Sequence, residues 1–409
     1  MPGPDAPTGG PIVVVGIGAD GWDGLSPAAR RVIEAADVLR GSARQLGLVP
    51  DDVPAQRVPW PSPMGPALAA LSGTHPGSQV VVLASGDPML SGVGASLVRL
   101  HGPGAVRVLP HPSSVSLACA RMGWPVEEVA VVSVVGRGLE LVAPHVTPGR
   151  RLLVLGSDGA TPGEVAALCT RLGYGASRIT ALAQLGGPAE HVLTCTAADW
   201  PHGVVDPLAV TAVEAVADAG TVPLPTVPGL PDAAFEDDGQ LTKREVRAVT
   251  LAQLVPLPGQ LLWDVGAGAG SIAIEWMRTH PSCRAIAVES HPDRAGRIAR
   301  NAARLGVPGL RVVEGRAPET LAGLPAPDAV FVGGGATTPS LLETCWAALP
   351  AGGRLVVNAV TVESEAVLAG WFARVGGELV RIGVQRAQPV GSFTGWRPAM
   401  PVTVFSVVR

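Results

Sequence analysis

The sequence predicts an α/β protein of two domains. Strand-length apolar runs alternate with helical patterns along the whole chain, several of those runs stop at glycine beside an acid, and a proline-rich stretch divides the 409 residues near position 225. At this length each of two domains can bury its own core. Hydrophobic residues make up 47% and charged ones 16%, which excludes a disordered chain, and 52 glycines with 40 prolines imply many short connections. A net charge of −4 without a basic run argues against nucleic acid. The five cysteines are widely spaced and form no C-x-x-C pair, so they read as small buried hydrophobes in a reducing compartment. No apolar run approaches membrane-spanning length, and Met1–Gly10 has neither a basic segment nor an apolar core. A cytoplasmic protein away from membranes is expected.

Taken in order, residues 11–15 form a strand that runs into Gly16-Ile17-Gly18-Ala19-Asp20-Gly21, a match to G-x-G-x-x-G. The helix start comes only at Ser26-Pro27, an N-cap followed by proline at the first helical position, which demotes a dinucleotide site. A strand at 79–84 ends in Ser85-Gly86-Asp87-Pro88, and Gly92 and Gly94 open a helical segment. The strand 106–109 ends in Pro110-His111-Pro112-Ser113-Ser114, whose following helix would present its N-terminus to the same crevice. His111, between two prolines, reads as a turn residue. A second αβ lobe has strands at 130–135, 151–155, 178–185 and 207–213 and a helix at 162–172. Prolines at 223, 225, 228 and 231 mark an extended linker, taken as 220–231, between domains 1–219 and 232–409. Beyond it, Thr242 and Glu245 have the spacing of a capping box. Lys243, the single lysine of the chain, sits at that helix start, where a compact titratable ammonium differs chemically from arginine.

The second domain is organised around Leu261-Leu262-Trp263-Asp264-Val265-Gly266-Ala267-Gly268-Ala269-Gly270-Ser271. This is strand, tight turn, helix start, with glycines where the backbone must turn sharply against a ligand. The spacing is G-x-G-x-G, so no pyrophosphate is required. The next strand, 284–289, ends in Glu289, placed to accept both ribose hydroxyls of a nucleoside. Asp264 and Glu289 together favour a cationic ligand such as the sulfonium of S-adenosylmethionine. Glu314-Gly315-Arg316-Ala317 suits an adenine edge, and the strand 329–332 ends in Gly333-Gly334-Gly335. After the strand 354–358, residues 358–363 lie at a carboxyl end, where open α/β sheets place active sites. The tail reads as a polar loop at 392–396 and a final strand at 401–408.

These motifs carry a resemblance. Gly16-Ile17-Gly18, Ser85-Gly86-Asp87-Pro88, Pro112-Ser113-Ser114 and Leu185-Gly186-Gly187-Pro188 resemble the tetrapyrrole methylases; Leu241-Thr242-Lys243-Arg244-Glu245, Asp264 to Gly270 and Phe331 to Gly335 resemble the class I methyltransferases. The pair in one chain is similar to the fused precorrin methyltransferases of cobalamin biosynthesis. The resemblance implies two S-adenosylmethionine sites, with S-adenosylhomocysteine as product and no metal. Gly16, Gly18, Gly86, Asp87, Ser113 and Ser114 would hold the cofactor in a cleft between two lobes. Thr242, Asp264, Gly266, Gly268, Gly270, Glu289, Gly315, Arg316, Ala317 and Gly333 would hold it in the second domain. It further implies methylation of a precorrin at C-5 by the first domain and at C-15 by the second, with loss of CO2 from the ring C acetate arm. Gly333–Gly335 offers no Asn/Asp-Pro-Pro-Tyr cluster of the type that aligns an amine, consistent with methylation of carbon. Decarboxylation needs an acid, for which Lys243 and Glu363 are the candidates, and a polycarboxylate substrate needs anchors among Arg244, Arg247, Arg316, Arg386 and Arg397. Self-association is implied as well. Two other readings stay open at this point: a methyltransferase on another small molecule with a degenerate first domain, and a tetrapyrrole carrier without turnover.

Overall fold

The computed structural model describes residues 11–201 and 203–409; Met1–Gly10, read above for targeting signals, lies outside the described residues. The chain divides into two compact units, Met1–Arg137 with Pro148–Ala219, and Gly138–Thr147 with Gly220–Arg409.

The first unit contains two sheets. Strands β1 (Ile12–Ile17), β2 (Val38–Gly41), β3 (Gln56–Pro59), β4 (Val80–Ser85) and β5 (Val106–Leu109) form a parallel sheet in the order β3-β2-β4-β1-β5. β1 is buried along its whole length, as a central strand covered on both faces must be. Ser26 caps the helix Pro27–Glu34 as expected, accepting from the Ala29 N–H at 3.2 Å. Four-residue β2 and β3 escaped the sequence reading because each is too short to show a period. The second sheet has β6 (Val129–Ser133), β7 (Arg151–Leu155), β8 (Arg178–Ala183), β9 (His191–Thr196) and β10 (Ala209–Glu214) in the order β6-β7-β10-β8-β9, parallel between β6 and β7 and antiparallel elsewhere. β9 was also missed; it is an exposed edge strand and lacks a buried face.

The second unit is a doubly wound sheet. Strands β11 (Leu261–Val265), β12 (Arg284–Glu289), β13 (Arg311–Glu314), β14 (Ala329–Val332), β15 (Arg354–Ala359), β16 (Glu378–Ile382) and β19 (Val402–Val408) run in the order β13-β12-β11-β14-β15-β19-β16, with β19 antiparallel to both neighbours. Alternate residues feed two cores. Leu262, Phe331 and Val356 pack under the helices Arg244–Leu254, Ser271–Thr279 and Pro292–Arg304, while Trp263, Val265, Val330 and Val357 pack with Leu342, Leu368 and Trp371 on the other face. Strands β17 (Gln385–Val390) and β18 (Phe393–Pro398) form a separate hairpin. This corrects the polar loop expected at 392–396: Gly391, at φ +60°, starts a two-residue turn that brings Val390 opposite Phe393.

Two further expectations change. The helix Arg244–Leu254 is capped by the Lys243 backbone without a side-chain hydrogen bond, so the Thr242/Glu245 capping box does not form; Glu245 pairs with Arg386 instead. The proline-rich segment is not a free spacer over 224–230. Proline leaves carbonyls that no helix or ladder satisfies, and buried arginines take them. Arg278 donates to the Leu224 and Pro225 carbonyls at 2.6 and 3.2 Å, Arg247 donates to that of Leu230, and Glu275 accepts from the Gly229 and Leu230 N–H groups at 2.6 and 3.0 Å. Leu230 is buried in the core of the second unit.

Candidate active sites

In the second unit β11 lies between β12 and β14, so successive connections leave it in opposite directions and a crevice opens at its carboxyl end. A cavity of about 680 Å³ occupies that place, within the range of small-molecule sites. Its base is the expected loop. Gly266, Gly268 and Gly270 have φ of +70°, +60° and +76°, the left-handed region, and a Cβ on Gly268 would stand 2.9 Å from the Gln240 carbonyl oxygen. Glu289 closes the loop from the side: its two carboxylate oxygens accept from Gly268 N–H at 2.8 Å and His291 N–H at 3.0 Å, and it lines the cavity.

Asp264 lies beneath this loop rather than on the cavity wall. Its Oδ2 accepts from the Ala273 N–H at 3.0 Å, and its buried Oδ1 has no partner among the described residues. Burial raises its pKa from 3.8 to about 7; the Ala273 hydrogen bond pulls the other way and the nearby Glu289 charge adds to the rise. Between those values the folded chain holds a proton that the unfolded chain has released. Stability contributed here therefore falls as pH rises from 4 to 7 and stays low above. Asp264→Asn is expected to unfold at higher urea than the parent at pH 8, by about 1–3 kcal/mol, with the difference vanishing near pH 4. Equal stability at pH 8 would refute the charge burden.

The cavity gathers most of the predicted residues of this unit. Thr242, Lys243, Gly266, Gly268, Glu289, Gly315, Arg316, Ala317 and Gly333 all line it. Gly270 does not; it sets the helix start, and a Cβ there would strike Ile298. Glu363 does not either. After β15 the chain turns at Val360 into a capping box in which Thr361 and Ser364 bond each other's backbone N–H, and this turns Glu363 out to solvent. Among the anchor candidates, Arg316 and Arg386 reach the cavity, whereas Arg247 is wholly buried and serves the strap described above.

In the first unit the loops after three adjacent strands β4, β1 and β5 come together. A Cβ on Gly16 would fall 2.0 Å from the Gly86 carbonyl oxygen and 2.7 Å from the His111 nitrogen, so glycine is what allows these loops to touch. Asp87 Oδ1 accepts from Met89 N–H at 2.8 Å and shapes its own turn. Ser113 caps the helix Ser114–Met122 through Ser116 N–H at 3.0 Å, and Ser114 opens it. His111 is more than a turn residue: its nearly buried ring places Nε2 3.2 Å from Asp20 Oδ2 and lies against Gly18. The other Asp20 oxygen is buried without a partner among the described residues.

Comparison with known proteins bears on both units. The family of tetrapyrrole (corrin/porphyrin) methylases matches residues 11–201, and the precorrin methyltransferase domain family matches 233–409. A precorrin-6Y C(5,15)-methyltransferase (decarboxylating) from a Sinorhizobium species is 51% identical over 395 residues, 97% of this chain and 95% of that protein. The chain belongs to this family. Another precorrin-6Y C(5,15)-methyltransferase, from Mycobacterium tuberculosis, is 49% identical over 403 residues, 97% of this chain and 100% of its own length. A crystal structure of the C-terminal domain of precorrin-6Y C5,15-methyltransferase from Rhodobacter capsulatus is 45% identical across 46% of this chain and 100% of that one, with a TM-score of 0.44.

The sequence reading singled out neither Ser290 nor Met400 and took Phe331 only as part of a motif, yet all three line the cavity together with Asn358. Asn358, the penultimate residue of β15, begins the 358–363 stretch expected at the carboxyl edge, where strand ends face the crevice. It is tied down by Thr250, whose Oγ1 accepts from Asn358 Nδ2 at 3.0 Å. Met400 carries no such signal; it arrives through the hairpin, remote in sequence from the glycine loop.

Proposed function

We propose that this chain methylates a precorrin at C-5 and C-15 with S-adenosylmethionine and releases CO2 from the ring C acetate arm, as a step of cobalamin biosynthesis. One observation carries the reading: the glycine loop, Glu289 and a cavity of nucleoside size lie in a chain that its decarboxylating relatives match over 97% of its length. In this proposal residues 1–219 methylate C-5, residues 220–231 connect, and residues 232–409 methylate C-15 and decarboxylate.

The residues fit a nucleoside sulfonium in both units, with close-set glycines, Glu289 at the second cavity and an unpartnered carboxylate oxygen on Asp20 at the first loop cluster. Bound there, S-adenosylmethionine supplies an electrophilic methyl group. Glu289 would hold the ribose, Gly315–Ala317 the adenine edge, and Thr242, Gly266, Gly268 and Gly333 the remainder, with Asp264 and Gly270 fixing the loop from below. Gly16, Gly18, Gly86, Asp87, Ser113 and Ser114 would form the first cradle. The protein's task toward the substrate is to hold an electron-rich carbon in line and keep water away. Decarboxylation leaves an electron pair that the macrocycle accepts as it is protonated, and Lys243 at the cavity supplies that proton. No metal takes part in this reading. A net charge of −4 and five free cysteines support a cytoplasmic enzyme that binds neither nucleic acid nor membrane, and the family resemblance supports a homo-oligomer. Among the described residues no helix is long and apolar enough to cross a membrane.

Calorimetric titration of S-adenosylhomocysteine into the whole protein tests the count, and two sites per chain are expected. Gly268→Val, which forces a branched side chain into a left-handed position against the Gln240 carbonyl, should weaken one site about 10–100-fold and leave the other. A single site in the parent protein would end the two-site proposal. Incubation with the precorrin and cofactor should add two methyl groups and remove one CO2 by mass.

A further inference from the structure

The hairpin β17–β18 contributes one side chain to the cavity and leaves the rest of its surface without a role. Its register sets two faces. Arg386 opposite Arg397, Gln388 opposite Gly395 and Val390 opposite Phe393 share one; Gln385 opposite Pro398, Ala387 opposite Trp396 and Pro389 opposite Thr394 share the other. Arg386 lines the cavity and is paired with Glu245, which lines it too, so the first face is the one continuous with the site.

That face has an unusual order of chemistry from the cavity outward. First comes a rung of two arginines directly opposite each other, an arrangement of like charges that costs stability unless an anion is near. Glu245 answers Arg386, but Arg397 is exposed and has no ion-pair partner among the described residues. Next comes the rung of Gln388 and Gly395, where the Val390 side chain stands 3.0 Å from the place a Gly395 Cβ would take. Last, Val390 and Phe393 stand 63% and 79% exposed at the tip. Cations near the cavity with an apolar surface beyond them complement a flat macrocycle that carries carboxylates on its rim.

We infer that this face is a substrate-binding arm of the second site, in which Arg397 anchors a carboxylate of the tetrapyrrole and Phe393 covers the macrocycle. The inference rests on the proposed substrate. Arg397 and Phe393 are then specificity determinants remote in sequence from the cofactor loop, while Trp396, 72% exposed on the opposite face, is not one.

The test is steady-state CO2 release by the whole enzyme from its precorrin, with sedimentation to follow the oligomeric state. Arg397→Gln and Phe393→Ser should each raise the KM for CO2 release about tenfold with kcat within about twofold. Trp396→Ser should change neither, and S-adenosylhomocysteine affinity should be unchanged in all three. If the parent enzyme releases no CO2, the functional proposal fails. If it does and the first two variants behave like the parent, or Trp396→Ser matches them, the arm is overturned. A shift in oligomeric state with unchanged KM would instead assign the hairpin to contact between copies of this chain and would also overturn it.

Discussion

Lys243→Ala is expected to slow CO2 release about 10²–10⁴-fold while changing S-adenosylhomocysteine affinity less than about threefold. Lys243 lies at the cavity, where the backbone of the N-cap, at φ −65° and ψ 151°, starts the helix Arg244–Leu254. Its ammonium has no ion-pair partner among the described residues, because the neighbouring carboxylate of Glu245 is engaged by Arg386. The charge is therefore available to the substrate. Two roles fit such a charge, anchoring a carboxylate or delivering a proton, and arginine separates them. A guanidinium keeps its charge and forks onto carboxylates but does not give up its proton near neutrality. Lys243→Arg should thus hold KM near the parent value and leave kcat for CO2 release as low as in Lys243→Ala. Recovery of kcat in Lys243→Arg would remove Lys243 as the acid and make it an anchor. Methylation at C-5, assigned to the other unit, should proceed in both variants.

What could be read in advance, and what could not, follows from the range of the interactions. The β11 loop was legible because its conformation depends on local chemistry: three left-handed positions in five residues admit little but glycine, and the strand ahead of them is buried on both faces. Glu289 was legible for the same reason, being the last residue of an apolar strand. Glu363 was misjudged because one turn of helix separates a residue at the crevice from one in solvent, and the Thr361–Ser364 cap that decides this has the same letters in either orientation. Arginines were the least legible. Arg244, Arg247, Arg316, Arg386 and Arg397 looked equivalent as anchors, yet Arg247 is fully buried, Arg316 and Arg386 line the cavity, and Arg244 and Arg397 are exposed outside its lining. Their fates depend on partners tens of residues away. His111 and Asp20 were separated by 91 positions and met only through the parallel pairing of β1 with β5.

Arg247→Met should destabilise the second unit by about 3–5 kcal/mol, the cost of leaving a buried carboxylate unpaired. Arg247 is 0% exposed and Glu275 2%, with Nε–Oε1 at 2.6 Å, and the guanidinium stacks 4.7 Å from the centre of the Phe235 ring. The same guanidinium donates to the Thr242 carbonyl at 2.6 Å and to that of Leu230. It thus ties the strap entering the unit to the segment that carries Thr242 and Lys243 into the cavity. Denaturant unfolding of the whole protein should show one transition moved to lower concentration and the other unmoved. The double variant Arg247→Met/Glu275→Leu distinguishes a charge effect from a hydrogen-bond effect. Were the charges alone at issue, the apolar pair would regain most of the loss. Here Glu275 also accepts from two backbone N–H groups and Arg247 donates to two carbonyls, so the double variant leaves four buried or half-buried backbone groups without those partners. Recovery should therefore be partial. Because the freed segment lines the cavity, S-adenosylhomocysteine binding at the second site should weaken in both variants, with the first site unaffected. Full recovery of stability and affinity in the double variant would show that the strap holds its place without this network.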